Sequence, residues 1–212
     1  MKTRCLTTRA RKTTRGYTLV EVMVALSLLG IGITGILSME NAAILSNRRA
    51  QEMTIATNIA RRWQERLRLD ALLWNSPSNR TSLSDLGTDT TYLCQLAGCS
   101  GGSAAANQWL VPTPPTGSTE SAAVDPFGNE VAVGSSLAKY CVNVRYNWLR
   151  ADTAARQGLV RAEVRVWWYR EGATRNSTYD NCGNRAALAT LGTDTSNLEL
   201  VHVASVITGN PL

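Results

Sequence analysis

One histidine, His202, occurs in the 212 residues; no proline comes before Pro77 and no acid before Glu21. Each scarcity excludes something. With one histidine, any Ser-His-Asp or Cys-His arrangement must run through His202. It falls among alternating apolar residues, where a sheet-surface role is the simpler expectation. No H-E-x-x-H motif is present, and the glycine-rich GCSGG, 98–102, lies in loop composition rather than after a strand. No active site, cofactor or metal-ligand set is therefore expected. Without proline in the first 76 residues, nothing forces a break in a helix there.

The missing acids matter as much. Residues 1–16, MKTRCLTTRARKTTRG, hold six of the 22 Lys and Arg residues and no carboxylate; the remaining 16 are matched by 16 Asp and Glu. The basic pI near 9.3 thus belongs to this leader. No basic footprint for a phosphate backbone survives outside it, and no nucleic-acid partner is expected.

Directly after the leader comes an apolar run, Tyr17 to Met39, of 23 residues. As a helix it would reach about 34 Å, enough to span a bilayer. Basic residues before an apolar segment hold the leader in the cytoplasm and place the chain after about residue 40 outside it. A removable secretory signal has a shorter apolar core and an A-x-A-like site after it. No such site stands out, so the segment is expected to be retained. Four cysteines lie beyond the leader, Cys94, Cys99, Cys141 and Cys182. Outside the cytoplasm they read as two disulfides in preference to zinc ligands. Three connectivities are open; Cys94–Cys99 with Cys141–Cys182 is favoured, because the first pair closes a short loop.

Past Met39 the helical pattern continues. Met53, Ala56, Ala60, Trp63, Leu67, Ala71 and Trp74 recur at spacings of three and four, with charged residues mainly on other faces. One helix is expected from about Tyr17 to Trp74, on the order of 85 Å long. Residues 75–135 have loop composition, and VDPFGNE, 124–130, reads as a turn set by Pro126 and Gly128. The period then changes to two. KYCVNVRYNWL (139–149), LVRAEVRVWWY (159–169) and LELVHVASVI (198–207) each alternate apolar with polar residues, which predicts three strands in an antiparallel meander. The helical stripe then has a partner in the sheet's apolar face. The fold class is α+β, a long N-terminal helix packed on a C-terminal antiparallel sheet. The expected division is a leader over 1–16, the helix over 17–74 with its membrane half at 17–39, and a loop-rich head over 75–212.

Glu21 is the one carboxylate in the apolar run. An acid within a spanning helix costs a few kcal/mol unless it reaches the interface or is paired. Two readings stand on physics alone. Glu21 lies close to Arg15 and can sit at the membrane surface. Alternatively, cleavage after Gly16 exposes an amine at Tyr17, and in a bundle of such helices a neighbour's amine pairs with Glu21 and helps set axial register.

Arg15-Gly16 followed by Tyr17-Thr18-Leu19-Val20-Glu21 and an apolar run resembles the type IV prepilin signature. The resemblance implies cleavage by prepilin peptidase between Gly16 and Tyr17, N-methylation of Tyr17, and an assembly role for Glu21, the fifth residue of the mature chain. Tyr17 stands where the family usually has Phe. Ser38 stands where many major pilins have a helix-breaking Pro, leaving Gly30, Gly32 and Gly35 as the soft points of the helix. LVEVMVALSLLGIGITGIL with ATNIARRWQERLRLDALLW is most similar to minor pilins of the PilV type and close to I-type pseudopilins of type II secretion. This implies a non-catalytic minor pilin that primes assembly of a type IV pilus, supporting adhesion or twitching motility. Its implied partners are other minor pilins and the major pilin through the N-terminal helix, prepilin peptidase, the inner-membrane assembly platform and a tip adhesin. Its implied location is the bacterial inner membrane, single-pass with a periplasmic head, and then the pilus at the cell surface. The alternatives are a minor pseudopilin of a type II secretion system and, from another class, a signal-anchored extracytoplasmic domain that does not polymerise.

Overall fold

The computed structural model describes residues 16–74, 85–99, 105–115, 117–151, 158–173, 182–183 and 188–209. Its first element is α1, Leu19–Ala71, 53 residues without a break. The start is chemically marked. Thr18 Oγ1 accepts the N–H of Glu21 at 3.3 Å, a helix cap with an acid three residues further on. At the other end the ladder tightens: the N–H groups of Leu72, Leu73 and Trp74 donate to the carbonyls of Leu69, Asp70 and Ala71 at 3.1–3.2 Å. Such i→i+3 bonds commonly close a last turn.

Two compact units, Met1–Arg49 and Ala50–Leu212, divide the chain within this helix. In the second unit, Ala56, Ile59, Ala60, Trp63, Leu67, Ala71 and Trp74 are buried. Met53, expected on that stripe, is about half exposed. The preceding residue occupies the inward position instead: Glu52 accepts from Lys139 Nζ at 2.5 Å and from Trp168 Nε1 at 3.2 Å. Successive helical residues point about 100° apart, so facing Glu52 inward turns Met53 away.

Three long strands form the sheet's body: β4 (Tyr140–Arg150), β5 (Leu159–Tyr169) and β6 (Leu198–Thr208). All pair antiparallel as a meander. Three two-residue strands extend it: β1 (Trp109–Leu110), β2 (Ala123–Val124) and β3 (Glu130–Val131). The order is β3-β2-β4-β5-β6, with β1 also on β4. These three short strands lie where only loop composition was legible, because two residues carry no period to read. The turn in VDPFGNE joins two of them. Asp125 Oδ1 accepts the N–H groups of Phe127 and Asn129 at 2.8 Å each, and Gly128 takes φ +91°. Only glycine adopts that backbone angle without strain.

Directly opposed residues share a face. Val144, Val164 and Val203 align across the three long strands on one face, Arg145, Glu163 and Ala204 on the other. The first face packs with the helix stripe in a single apolar core. Each fully buried aliphatic or aromatic side chain there is worth about 1.5–3 kcal/mol. Trp74 and Trp148 meet edge to face at 5.8 Å. Beside them, a Cβ on Gly158 would lie 2.7 Å from Trp148 Cζ3 and 2.8 Å from Trp74 Cη2, so only glycine fits under the two indoles.

Outside the sheet, Asp70 organises the segment after the helix. Its carboxylate accepts the N–H groups of Thr91, Tyr92 and Leu93 at 2.6–2.8 Å, capping the 3₁₀ turn Leu93–Leu96. The Cys94–Cys99 disulfide closes that turn, and Cys141–Cys182 ties residue 182 to β4. Helix on antiparallel sheet is an α+β fold.

Candidate functional site: an apolar helix with one carboxylate

Gly16 lies just before the helix and Tyr17 leads into it, with Glu21 in its first turn. Residues 1–15 of the leader lie outside the described residues. From Tyr17 to Met39 every residue is exposed, including Leu19, Val20, Met23, Leu26, Ile31 and Ile36. The helix is long and apolar enough to cross a membrane.

Two of its hydroxyls are bonded within the helix. Ser27 Oγ donates to the Met23 carbonyl at 2.8 Å and Thr34 Oγ1 to the Ile31 carbonyl at 2.9 Å. Such back-bonding removes the cost of carrying hydroxyls into an apolar medium. Glu21 is different. Its backbone N–H is capped by Thr18, yet among the described residues no cation lies within ion-pair distance of its carboxylate. The position softens the cost without removing it, because a helix N-terminus favours an acid by about 0.3–1 kcal/mol at exposed sites. This capping arrangement, T-L-V-E, was readable in the sequence as an S/T-x-x-E signature but was missed.

The second unit adds a charged cluster on the sheet's outer face. Glu163, 3% exposed, receives Arg145 through Nε at 2.8 Å and through a second guanidinium nitrogen. Arg161 Nε lies 2.8 Å and His202 Nε2 3.3 Å from the same carboxylate. Trp109 reaches over from β1: its ring centroid lies 4.1 Å from the Arg165 guanidinium carbon, 4.7 Å from that of Arg145 and 5.6 Å from the His202 ring. Arg165 is buried, donating to the Leu188 carbonyl at 2.8 Å. Burial first, and then Arg145, lower its pKa to about 10. His202 thus faces a carboxylate and an indole. Sequence reading placed it on a strand's polar side but did not find Trp109, which lay in loop composition.

At the turn after β2, the Asn129 side-chain amide, 3.0 Å from Asp125 Oδ2, holds the Asp125 carboxyl below its usual range. Backbone N–H groups of Asn129, Phe127 and Gly128 add to this. Among the described residues, no group of three or more His, Cys, Asp or Glu is arranged to hold a metal ion.

Residues 11–37 match the prokaryotic N-terminal methylation motif. No curated protein and no solved structure matches the chain. The matched segment contains Gly16, Tyr17, Glu21 and most of the apolar run, and it precedes an α+β head. The apolar helix is consistent with a single-pass inner-membrane anchor. In this motif and this architecture, the chain is similar to type IV prepilin-like proteins.

Proposed function

We propose that the chain is a non-catalytic minor pilin, a subunit that primes assembly of a type IV pilus and joins its tip complex. The observation that carries this reading is Glu21: the single acid of the apolar run, five residues after Gly16, without an ion-pair partner among the described residues. Prepilin peptidase cuts after Gly16, and the new amine of Tyr17 is methylated. The helix then leaves the membrane and packs among other pilin helices, where Glu21 meets a neighbour's N-terminal amine. A carboxylate that is costly alone in an apolar medium becomes favourable only with that partner. Extraction and register are thereby linked in one residue.

A role without catalysis is supported by His202. Its Nε2 faces Glu163 and its ring packs edge-on to Trp109, so its immediate contacts serve the sheet surface. The head supplies contacts to neighbouring subunits or a tip adhesin.

The test is intact mass and N-terminal peptide mapping on protein purified from its native membrane. Loss of residues 1–16 with a methylated Tyr17 is expected. An intact leader in a host with active prepilin peptidase would overturn the reading and leave a membrane-anchored protein that does not polymerise. Co-purification with type II secretion components in place of pilus subunits would reassign it as a pseudopilin.

A further inference from the structure

Among the described residues the sheet ends on a strand whose outer edge is unpaired. Strand β6 is last in the sheet order, and among the described residues it pairs with β5 alone. Its 11 residues exceed the usual length of about 5–6. Pairing runs from Leu159↔Thr208 to Tyr169↔Leu198 without a register shift, whereas the sheet's irregularity falls between β4 and β5. Exposed edges are normally blunted by Lys, Pro, bulges or inward charges. LELVHVASVIT has no Lys, Arg or Pro. Its one acid, Glu199, is engaged by Arg170 at 3.4 Å.

Charge on the outer face says what would fit there. Arg161 stands opposite Val206, Glu163 opposite Ala204 and Arg165 opposite His202. Two guanidiniums, those of Arg145 and Arg161, share the Glu163 carboxylate, and Arg165, stacked on the same Trp109 ring as Arg145, has no carboxylate within ion-pair distance among the described residues. Arg161 uses Nε on Glu163 and leaves its other two nitrogens without a partner among the described residues, its side chain 48% exposed. Ala204 is the smallest side chain between this cluster and the open edge. The surplus is therefore positive, partly solvent-facing, and one strand in from the edge.

We propose that β6 accepts an extended acidic segment of a partner protein by strand addition. Main-chain hydrogen bonds to β6 would supply affinity, and a carboxylate on the outer face opposite Ala204 or Val206 would supply selectivity through Arg161. Adjacent strands lie about 4.8 Å apart, so a glutamate on the added strand and Arg161 on β5 meet across β6. A nucleic-acid strand fits less well. The Trp109 ring is already covered by the guanidiniums of Arg145 and Arg165, leaving no stacking platform there. This proposal does not depend on filament assembly.

The test uses the full-length chain in detergent and a short fluorescent peptide alternating valine and glutamate. Controls are the same peptide with lysine for glutamate, the acidic peptide N-methylated on alternate amides, and a single-stranded DNA oligonucleotide. Binding of the acidic peptide is expected, weakened about tenfold in Arg161→Gln, the loss typical of one charge-assisted contact. N-methylation should abolish it, and hydrogen exchange should slow along Leu198–Thr208 when the peptide binds. The proposal fails if the lysine peptide binds equally well, if N-methylation changes nothing, or if the oligonucleotide binds more tightly than the acidic peptide. Because the N-methylated probe leaves the protein untouched, the outcome stands even if Arg161→Gln perturbs the sheet.

Discussion

Asp70, in the last turns of the long helix, accepts the backbone N–H of Leu93 at 2.8 Å across 23 residues of chain. Thr91 and Tyr92 donate to the same carboxylate. One side chain thus gives the disulfide-closed turn at Cys94–Cys99 its attachment to the helix. Truncation to alanine would leave three N–H groups in a poorly hydrated setting, each costing about 1–3 kcal/mol if left unmade. Asp70→Ala is expected to lose about 3 kcal/mol or more in urea unfolding followed by tryptophan fluorescence. Trp63, whose ring meets Tyr92 at 5.3 Å, is the natural reporter. Asp70→Asn keeps one acceptor oxygen and should fall between. Equal stability of all three forms would show that the turn does not depend on this carboxylate.

Three tyrosines make the second unit sensitive to alkali. Burial, and then Glu52, push the Tyr140 hydroxyl up to about 12. Burial also raises Tyr146, with smaller contributions from Asp70 and Tyr92, and raises Tyr92, which donates to Glu120. In the unfolded chain each ionises near its ordinary value of 10.0. The folded state therefore holds more protons above pH 10, and stability must fall as pH rises. For Tyr140 the window runs from about 10 to about 12. Unfolding free energy should be flat in the region just below pH 10 as far as these groups are concerned, then drop. Tyr146→Phe removes a hydroxyl with no hydrogen-bond partner among the described residues. That variant should be as stable as the parent or more stable by about 1 kcal/mol, with a shallower alkaline slope. A steeper slope would contradict the assignment.

How much of this was legible beforehand depends on repetition. The long helix and β4, β5 and β6 repeat a period over many residues, so hydrophobic spacing announced them. Sheet register adds what spacing cannot. Arg145 and Glu163 are 18 residues apart in sequence and directly opposed in space. Met53 followed the period yet faces outward, because polar Glu52 bonds the sheet from the adjacent position. Asp70 and Trp109 act through single long-range contacts, for which no local pattern exists. Glu21 was legible as an exception: an acid stands out in an apolar run. Its helix-capping context, carried by Thr18, lay in the sequence and was overlooked.

The two disulfides should differ in what their removal costs. Cys94–Cys99 spans 5 residues and Cys141–Cys182 spans 41. If cross-links act mainly by restricting the unfolded chain, the longer loop contributes more: about 4 kcal/mol against about 2. Replacing Cys141 and Cys182 with serine should therefore lower the urea midpoint more than replacing Cys94 and Cys99. The measurement is equilibrium unfolding of both double variants with the remaining bridge verified intact by mass. The reverse order would mean that Cys94–Cys99 acts through the native fold, most directly by holding the turn that Asp70 caps.

Glu21 invites the sharpest separation of roles, because it is both a helix-start residue and the lone acid of an apolar segment. Glu21→Val should insert into the membrane and be cleaved after Gly16, since the substitution removes only the costly group. It should be missing from sheared filaments if the carboxylate pairs with a neighbour's amine during assembly. Thr18→Ala supplies the control. It removes the cap on the Glu21 N–H, worth about 1 kcal/mol of helix stability, while leaving the carboxylate in place. A capping role predicts that Thr18→Ala is impaired while Glu21→Val, which keeps the capped N–H, is not. An assembly role predicts that Thr18→Ala reaches filaments and Glu21→Val does not, with Glu21→Asp intermediate because its shorter side chain keeps the charge but shortens the reach. Quantifying all three in membrane and sheared-filament fractions decides between the two, since the head core lies within Ala50–Leu212 and none of these substitutions touches it.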